Sequence, residues 1–242
     1  MYFTGWIRIY KGKKYYPTFV DLDKLLKKEY VRGREILWMS SIKRVMASLT
    51  FTGILSEILN VRYHRSLEYL LNENVIIEMD NLATIEKIFL VEVLLLWIYE
   101  FRKNVGKRES FEHCIIIEEA HHVLSKHKEK TYGEETIIET IIRMIREMGV
   151  GIIVIDQEPG KISDSVLANT NCKICFSLGN GIDISTMAAS MNMTNQEKRM
   201  IDKLQTGHAI VKLKDRFNNL IHIQIPLIPV KKGLIKNNRD KQ

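Results

Sequence analysis

Cysteine is scarce in this sequence, which has only Cys114, Cys172 and Cys175 in 242 residues. So few thiols exclude a disulfide-stabilised scaffold and suit a reducing compartment, so we expect a cytoplasmic protein. The opening stretch, MYFTGWIRIYKGKKYY, lacks the apolar run and cleavage site of a secretory signal. The most apolar stretch, Phe89–Tyr99, is interrupted by Glu92 and is far shorter than the roughly 20 residues that span a bilayer. We therefore expect no membrane segment.

A glycine-rich phosphate-binding loop is also missing. Such a loop has the pattern Gly-x-x-x-x-Gly-Lys-Ser/Thr, and its backbone N–H groups cradle phosphates between a strand and a helix. The residues that follow the Gly-Lys pairs are Lys14, Arg108 and Ile162, none of which carries the required hydroxyl. Phosphate binding by this chain alone is therefore expected to be weak.

The composition is that of a folded, basic protein. Hydrophobic residues make up 45% and charged residues 27% of the chain, which excludes disorder over its whole length. Lys and Arg outnumber Asp and Glu by 36 to 29, so the net charge is +7. This charge favours an anionic partner such as nucleic acid, and the alternative is a basic surface that contacts only solvent.

Composition and hydrophobic patterning divide the chain into three segments. They are a poorly patterned, mainly helical segment (1–73), a core of strands and helices (74–228) and a basic polar tail (229–242). In the first segment, the spacing of leucines predicts a helix over Asp21–Tyr30, with Asp21 as its cap. A second helix is predicted around Ser41–Leu59.

The core segment predicts an α/β fold. Short apolar runs predict strands at Asn74–Asp80, His113–Glu119, Gly151–Gln157, Lys173–Leu178, His208–Leu213 and Leu220–Pro226. Helices are predicted over about Thr84–Arg102 and Glu134–Met148. Nearly continuous apolar strands that alternate with helices indicate a mainly parallel sheet covered on both faces. The last two strands are predicted to form a hairpin through Asp215–Asn219 at the sheet edge.

The most informative feature is a pair of acids at the end of a strand. Glu118 and Glu119 directly follow Ile115–Ile117, and open α/β sheets place their ligands at this edge. Glu118 could hold Mg²⁺ through water, and Glu119 could orient the attacking water for phosphoryl transfer. The alternative is a charged turn without a function. A zinc site made by Glu118, His121 and His122 is disfavoured, because adjacent side chains diverge by about 100° on a helix.

The segment IIIEEAHHVL resembles the Walker B motif of the HerA/FtsK superfamily of ring-forming DNA pumps, which includes archaeal HerA and conjugation ATPases. The block Gly149–Asn180 and the turn Lys203–His208 are similar to later motifs of the same family. The resemblance implies a RecA-like, P-loop-NTPase-type core that is incomplete on its phosphate-loop side. It also implies ATP and Mg²⁺ as cofactors, DNA as a partner and a hexameric ring.

The same resemblance suggests roles for three further residues. Gln157 matches the sensor position, where an amide can contact both a phosphate oxygen and the lytic water. Arg143 and Arg146 match arginine fingers that reach the nucleotide of a neighbouring subunit. The alternatives are an ordinary strand-end glutamine and salt bridges with nearby glutamates. Asp156 departs from the family pattern, and an additional acid beside bound phosphate would repel it.

Two functions remain open from the sequence. One is a part of an ATP-driven DNA translocase or helicase, with Walker B, sensor and arginine-finger positions but no Walker A loop. The other is a degenerate, non-catalytic subunit that binds DNA or a complete HerA-type partner ring. A zinc-finger or helix-turn-helix DNA-binding protein is not indicated, since neither motif occurs.

Overall fold

The structure is a computed structural model, and it describes residues 17–50, 53–61, 68–106, 110–126, 137–217 and 219–228. The chain divides into two compact units, Met1–Val91 and Glu92–Gln242. All strands found in the described residues belong to the second unit.

The described part of the first unit is mostly helical. Its helices are α1 (Phe19–Lys28), α2 (Glu35–Thr50), α3 (Ile54–Leu59), α4 (Tyr69–Asn72) and the first turns of α5 (Thr84–Val105). Thr18, and not Asp21, caps α1. The Thr18 hydroxyl accepts a hydrogen bond from the Asp21 N–H, while the Asp21 carboxylate accepts one from the Thr18 N–H.

The helix predicted over Ser41–Leu59 is interrupted at Gly53, whose φ is +92°.

Residues 74–79 form no regular secondary structure, so the strand predicted over Asn74–Asp80 is wrong. Ile76 is 89% exposed, and Val75 and Ile77 are also exposed. No strand within the described ranges pairs with this segment. An apolar run indicates only a preference for extended backbone. A strand forms only where a neighbour completes its backbone hydrogen bonds.

The long apolar helix is confirmed as α5, which buries Leu95 and Ile98. Its last turn carries Arg102 and Lys103, whose positive charges favour the carboxyl end of a helix dipole. In the part of the chain that the structure describes, no helix has the length and apolar composition needed to cross a membrane.

Strands β1 (His113–Ile117) and β2 (Val150–Val154) form a parallel pair in register from end to end. Helix α6 (Ile137–Ile145) and a 3₁₀ turn lead into β2, as predicted from sequence for this segment. The part of that prediction before residue 137 lies outside the described residues. Gly149 makes the sharp entry into β2 with a φ of +77°, and a Cβ atom there would overlap the Ser110 carbonyl oxygen. Glycine is therefore required at this turn.

The three remaining strands are antiparallel. They are β3 (Cys172–Cys175), β4 (His208–Leu213) and β5 (Ile221–Gln224), in that order across the sheet. The predicted hairpin of the last two strands is confirmed. The helices around them are α7 (Asp164–Asn169), α8 (Gly181–Ser190) and α9 (Asn195–Lys198). The α/β class is thus correct. Within the described residues the parallel pairing joins β1 to β2, and the hairpin belongs to a separate antiparallel sheet instead of lying at the edge of the parallel one.

The antiparallel sheet covers a small apolar core that includes Cys175, Met191, Ile201 and Ile210. Cys175 is buried and Cys172 is exposed, because residues three apart on a strand face opposite sides. Burial raises the pKa of the Cys175 thiol to about 11. A thiol with that pKa is protonated at neutral pH and therefore serves as a packing group and not as a nucleophile.

Candidate active site

The two predicted acids lie where β1 ends. Ile117 is buried as the last strand residue, whereas Glu118 and Glu119 are exposed immediately beyond it. The ladder with β2 continues briefly past the strand ends, because the Ile155 N–H donates to the Ile117 carbonyl at 2.9 Å. Since β1 and β2 are parallel, residues that follow either strand emerge at the same edge.

Glu119 has a left-handed backbone conformation, with φ 48° and ψ 47°. It starts a 3₁₀ turn over Ala120–His122, and Ala120 is completely buried beneath that turn. A non-glycine residue in this region costs on the order of 1 kcal/mol and persists only where the surroundings impose it. The turn redirects the chain directly after the strand and leaves the Glu119 side chain on the surface.

Gln157 and Glu119 are brought together by the parallel pairing. The Gln157 side-chain amide donates a hydrogen bond of 2.8 Å to Oε1 of Glu119. Both side chains are exposed at the carboxyl edge of the strands. An amide beside a carboxylate offers one donor and several acceptor positions to a water or a phosphate group at the same place. This contact joins two residues that are 38 positions apart in the chain.

Asp156 stabilises the turns on which this pair depends. Its carboxylate accepts hydrogen bonds of 2.6 Å from the N–H of His121 and 2.6 Å from the N–H of Glu158. Its side chain is only 3% exposed. From the sequence, Asp156 is expected to repel a bound phosphate. In the structure its carboxylate instead accepts hydrogen bonds from two backbone N–H groups. It ties the turn after β1 to the turn after β2.

His121 is the residue that sequence reasoning did not assign to the site. Its Nδ1 lies 3.0 Å from Oδ2 of Asp156 and 3.6 Å from Oε2 of Glu119, and its Nε2 lies 3.8 Å from Oε2 of Glu158. The donor atoms of Glu119, His121 and Asp156 all lie within 4.8 Å of one another. This set replaces the trio of Glu118, His121 and His122 weighed from sequence. The sequence did contain an indication of this cluster, because Asp156 directly precedes Gln157 at the end of the neighbouring strand.

Arg143 and Arg146 lie at the opposite edge of the parallel pair. Arg143 is in the last turn of α6 and Arg146 begins the 3₁₀ turn before β2, and both side chains are exposed. Glu119 and Gln157 instead follow the carboxyl ends of the strands. A strand of five residues is about 16 Å long. The structure therefore does not group the arginines with Glu119 and Gln157 within one chain.

Residues 73–228 match the family described as helicase HerA-like C-terminal. The chain belongs to this family. The match confirms the resemblance carried by the IIIEEAHHVL segment. No curated protein sequence matches the chain.

This HerA-like chain also shares its fold with a solved structure. VirB4 of Thermoanaerobacter pseudethanolicus superposes with a TM-score of 0.64 at 14% identity, over 88% of this chain and 56% of that one. The chain thus spans about half the length of VirB4. The RecA-like class expected from sequence is confirmed.

Weaker likenesses come from two viral packaging proteins. B204, the DNA-packaging ATPase from Sulfolobus turreted icosahedral virus, has a TM-score of 0.48 at 12% identity, over 73% of this chain and 78% of that one. The genome packaging NTPase B204 from Sulfolobus turreted icosahedral virus 2, in complex with ATP-gammaS, has a TM-score of 0.39 at 15% identity, over 47% of this chain and 52% of that one.

Proposed function

We propose that this chain is the hydrolytic part of an ATP-driven DNA translocase or helicase. The observation that carries the proposal is the 2.8 Å hydrogen bond between Gln157 and Glu119 at the carboxyl edge of β1 and β2. Parallel α/β sheets bind their ligands at this edge, and phosphoryl transfer needs a group there that positions water. Residues 74–228 are the ATPase core in this proposal, between a helical amino-terminal segment (1–73) and a basic tail (229–242).

The two acids have separate tasks. Glu119 orients and polarises the water that attacks the terminal phosphate of ATP, since an exposed carboxylate can accept a proton or a hydrogen bond from that water. Glu118 lies beside it and supplies the oxygen ligand that Mg²⁺ prefers, through a water of the hydration shell. The donor chemistry of both residues fits a magnesium nucleotide, because each offers only oxygen. Mg²⁺ would neutralise phosphate charge as it develops.

Gln157 reports the state of the nucleotide. Its amide group donates a hydrogen bond to Glu119. A terminal phosphate oxygen is also an ionised acceptor, so it can accept a hydrogen bond from the same N–H group. When ATP is bound, the amide exchanges one partner for the other and releases Glu119 to bind the lytic water. Hydrolysis then restores the pair.

Arg143 and Arg146 act on a neighbouring subunit. Their edge of the sheet is about 16 Å from the edge that carries Glu119, which exceeds the reach of an arginine side chain. Two exposed guanidinium groups three residues apart can face the same neighbour and stabilise the charge of its transition state. This arrangement requires a ring or another head-to-tail assembly, either of this chain or with a complete HerA-type partner.

A specific observation favours a second candidate, a non-catalytic subunit. The described site is strongly acidic, with Glu118, Glu119, Asp156 and Glu158 at one edge, and Lys161 forms an ion pair with Glu158 at 2.7 Å. The sequence supplies no phosphate-binding loop to offset these charges. A chain of this kind would lend its arginines to a partner ring that binds ATP itself. The net charge of +7 supports DNA as the shared substrate under either candidate.

Magnesium-dependent ATP turnover by the full chain tests the first candidate. Turnover is expected for the wild-type protein and to fall at least about a hundredfold in Glu119→Gln, which keeps the shape of the side chain and removes its charge. Glu57→Gln is the matched control, because Glu57 is an exposed glutamate of the first unit. Equal turnover in both variants would contradict the proposed role of Glu119.

Absence of turnover in the wild-type chain would favour the second candidate, and this has its own test. A complete HerA-type ATPase mixed with the chain should form a stable complex and hydrolyse ATP faster. The gain should be absent when the chain carries Arg143→Ala together with Arg146→Ala. A chain that stays monomeric and leaves the partner's rate unchanged would exclude the second candidate.

A further inference from the structure

We propose that Glu119, His121 and Asp156 form a binding site for a divalent transition-metal ion, of which Zn²⁺ and Co²⁺ are the test cases. The site is distinct from the magnesium that accompanies a nucleotide. An imidazole nitrogen is a good ligand for zinc, copper, iron and nickel, whereas Mg²⁺ prefers oxygen ligands. The set of one nitrogen and two carboxylates therefore selects a transition metal.

The spacing of the donor atoms fits a single ion. Nδ1 of His121 lies 3.0 Å from Oδ2 of Asp156 and 3.6 Å from Oε2 of Glu119. Zinc binds nitrogen and oxygen ligands at about 2.0 to 2.2 Å, which places neighbouring ligands of a tetrahedral site about 3.3 to 3.6 Å apart. The 3.6 Å separation lies within this range, and the 3.0 Å separation is about 0.3 Å shorter. The ion would replace the proton between His121 and Asp156, and the two side chains would move slightly apart to admit it.

Two of the three ligands are held in place before any metal arrives. The Asp156 carboxylate is fixed by the N–H groups of His121 and Glu158, and the His121 side chain is only 12% exposed. On the far side of the ring, Nε2 of His121 is 3.8 Å from the Glu158 carboxylate, an electrostatic contact that is longer than a hydrogen bond. Metal-binding histidines usually direct their second nitrogen towards such a group. Pre-positioned ligands reduce the entropic cost of binding.

The third ligand leaves the site open to solvent. Glu119 is 47% exposed and is held from the other side by Gln157, which contacts Oε1 while Oε2 faces His121. Three protein ligands leave at least one coordination position for water or another small ligand. The left-handed backbone at Glu119 places its carboxylate near both His121 and Gln157, which a regular strand continuation would not do.

The site has a consequence for hydrolysis, and this part rests on the proposed function. A bound ion would occupy the carboxylate that is proposed to orient the lytic water. Binding of Zn²⁺ should therefore inhibit ATP hydrolysis. The turnover rate, measured in excess Mg²⁺, should decrease as Zn²⁺ occupies the site. Binding of the metal itself does not depend on turnover, so a chain that never hydrolyses ATP still tests the site.

A titration of Co²⁺ into the chelator-treated full chain tests the proposal. We expect one equivalent to bind, with a visible ligand-field spectrum of nitrogen and oxygen ligands and no thiolate charge-transfer band. Zn²⁺ should displace it, and Mg²⁺ at the same concentration should not. His121→Asn and Glu119→Gln should each lower the affinity at least about tenfold. Glu119→Gln alters an exposed side chain and is expected to keep the fold.

His222→Asn is the matched control, because His222 lies beside His208 with ring centres 5.4 Å apart. His208 lies on β4 and His222 on β5, so the pair is a second set of neighbouring histidines in the described residues. Its loss should leave the stoichiometry and affinity unchanged. The proposal is overturned if the affinity is the same in wild type and His121→Asn. It is also overturned if the single equivalent disappears in His222→Asn, or if the spectrum shows thiolate ligands.

Discussion

The Gln157 amide donates a 2.8 Å hydrogen bond to the Glu119 carboxylate, and the two residues follow neighbouring parallel strands. This contact depends on three local features. The first is the register of β1 and β2, the second is the left-handed turn at Glu119, and the third is Asp156, which ties together the two turns that carry the pair. Each can be altered separately.

Asp156→Ala should destabilise the second unit by about 2 to 4 kcal/mol, measured by denaturant unfolding in the presence of a chelator. The substitution leaves the N–H groups of His121 and Glu158 without their charged acceptor in a buried place. Asp202→Ala is the control, since Asp202 is exposed, and we expect it to change stability by less than about 0.5 kcal/mol. Similar losses in both variants would mean that Asp156 does not hold the turns.

Acidic pH should weaken the fold through His113. Burial, and next the positive charge of Arg102, lower the pKa of His113, while Glu112 opposes them. The Arg102 guanidinium donates to Nδ1 of His113 at 3.0 Å, which requires the neutral ring. Because the folded-state pKa is below that of the unfolded chain, the unfolded state binds the proton first. The stability present above pH of about 6.5 is therefore lost as the pH falls towards the lower folded-state pKa.

The measurement is the free energy of unfolding as a function of pH. His113 should contribute a decrease of at most about 1.4 kcal/mol per pH unit below its ordinary pKa. His113→Gln removes the titrating group, so the curve of that variant should be flatter over the same interval. An identical slope for wild type and variant would rule out His113 as the source.

Gly149 and Gly106 provide a matched pair for backbone geometry. Their φ angles are +77° and +73°, but a Cβ atom at Gly149 would overlap the Ser110 carbonyl oxygen, while Gly106 has open space around it. Gly106→Ala should cost about 1 kcal/mol from the left-handed conformation alone. Gly149→Ala should cost clearly more in denaturant unfolding, because the Ser110 segment must also move. Equal costs would show that close packing at the entry to β2 is unimportant.

The arginines should be supplied across subunits. In a turnover assay, a chain with Arg143→Ala and Arg146→Ala should be inactive, and so should Glu119→Gln. An equal mixture of the two should recover about a quarter of wild-type turnover, because a quarter of randomly formed interfaces combine an intact acid with intact arginines. Arg216→Ala, on an exposed arginine near the β4–β5 hairpin, should retain activity alone. No recovery on mixing would indicate that the arginines act within one chain or not at all.

The sequence predicted the parts of the site that follow directly from strand ends. Glu118, Glu119 and Gln157 each lie within two residues of the end of an apolar run. The rule that parallel strands present their carboxyl ends together brings Glu119 and Gln157 to the same edge. Their roles remain predictions. The helix α5 was also predictable, because a long apolar segment with basic residues at its end has few other structures available.

Other features depend on tertiary contacts that one-dimensional patterns do not contain. The position of His121 beside Asp156 requires the left-handed turn at Glu119. A glutamate does not predict such a turn, because residues other than glycine rarely adopt a positive φ. The segment Asn74–Asp80 has the composition of a strand but lacks a paired neighbour in the described chain. Thr18 caps α1 through a reciprocal contact with Asp21, so the helix begins before the periodic leucines do.

A double-mutant cycle of magnesium-dependent ATP turnover with Glu119→Gln and Gln157→Ala tests whether Glu119 and Gln157 hydrolyse ATP together. If the two side chains act as one hydrolytic unit, Gln157→Ala should reduce turnover about tenfold to a hundredfold in the wild-type background. It should cause little further loss once Glu119 is replaced, since residues that act together are strongly non-additive. Full additivity of the two effects, or turnover that neither substitution changes, would contradict the account.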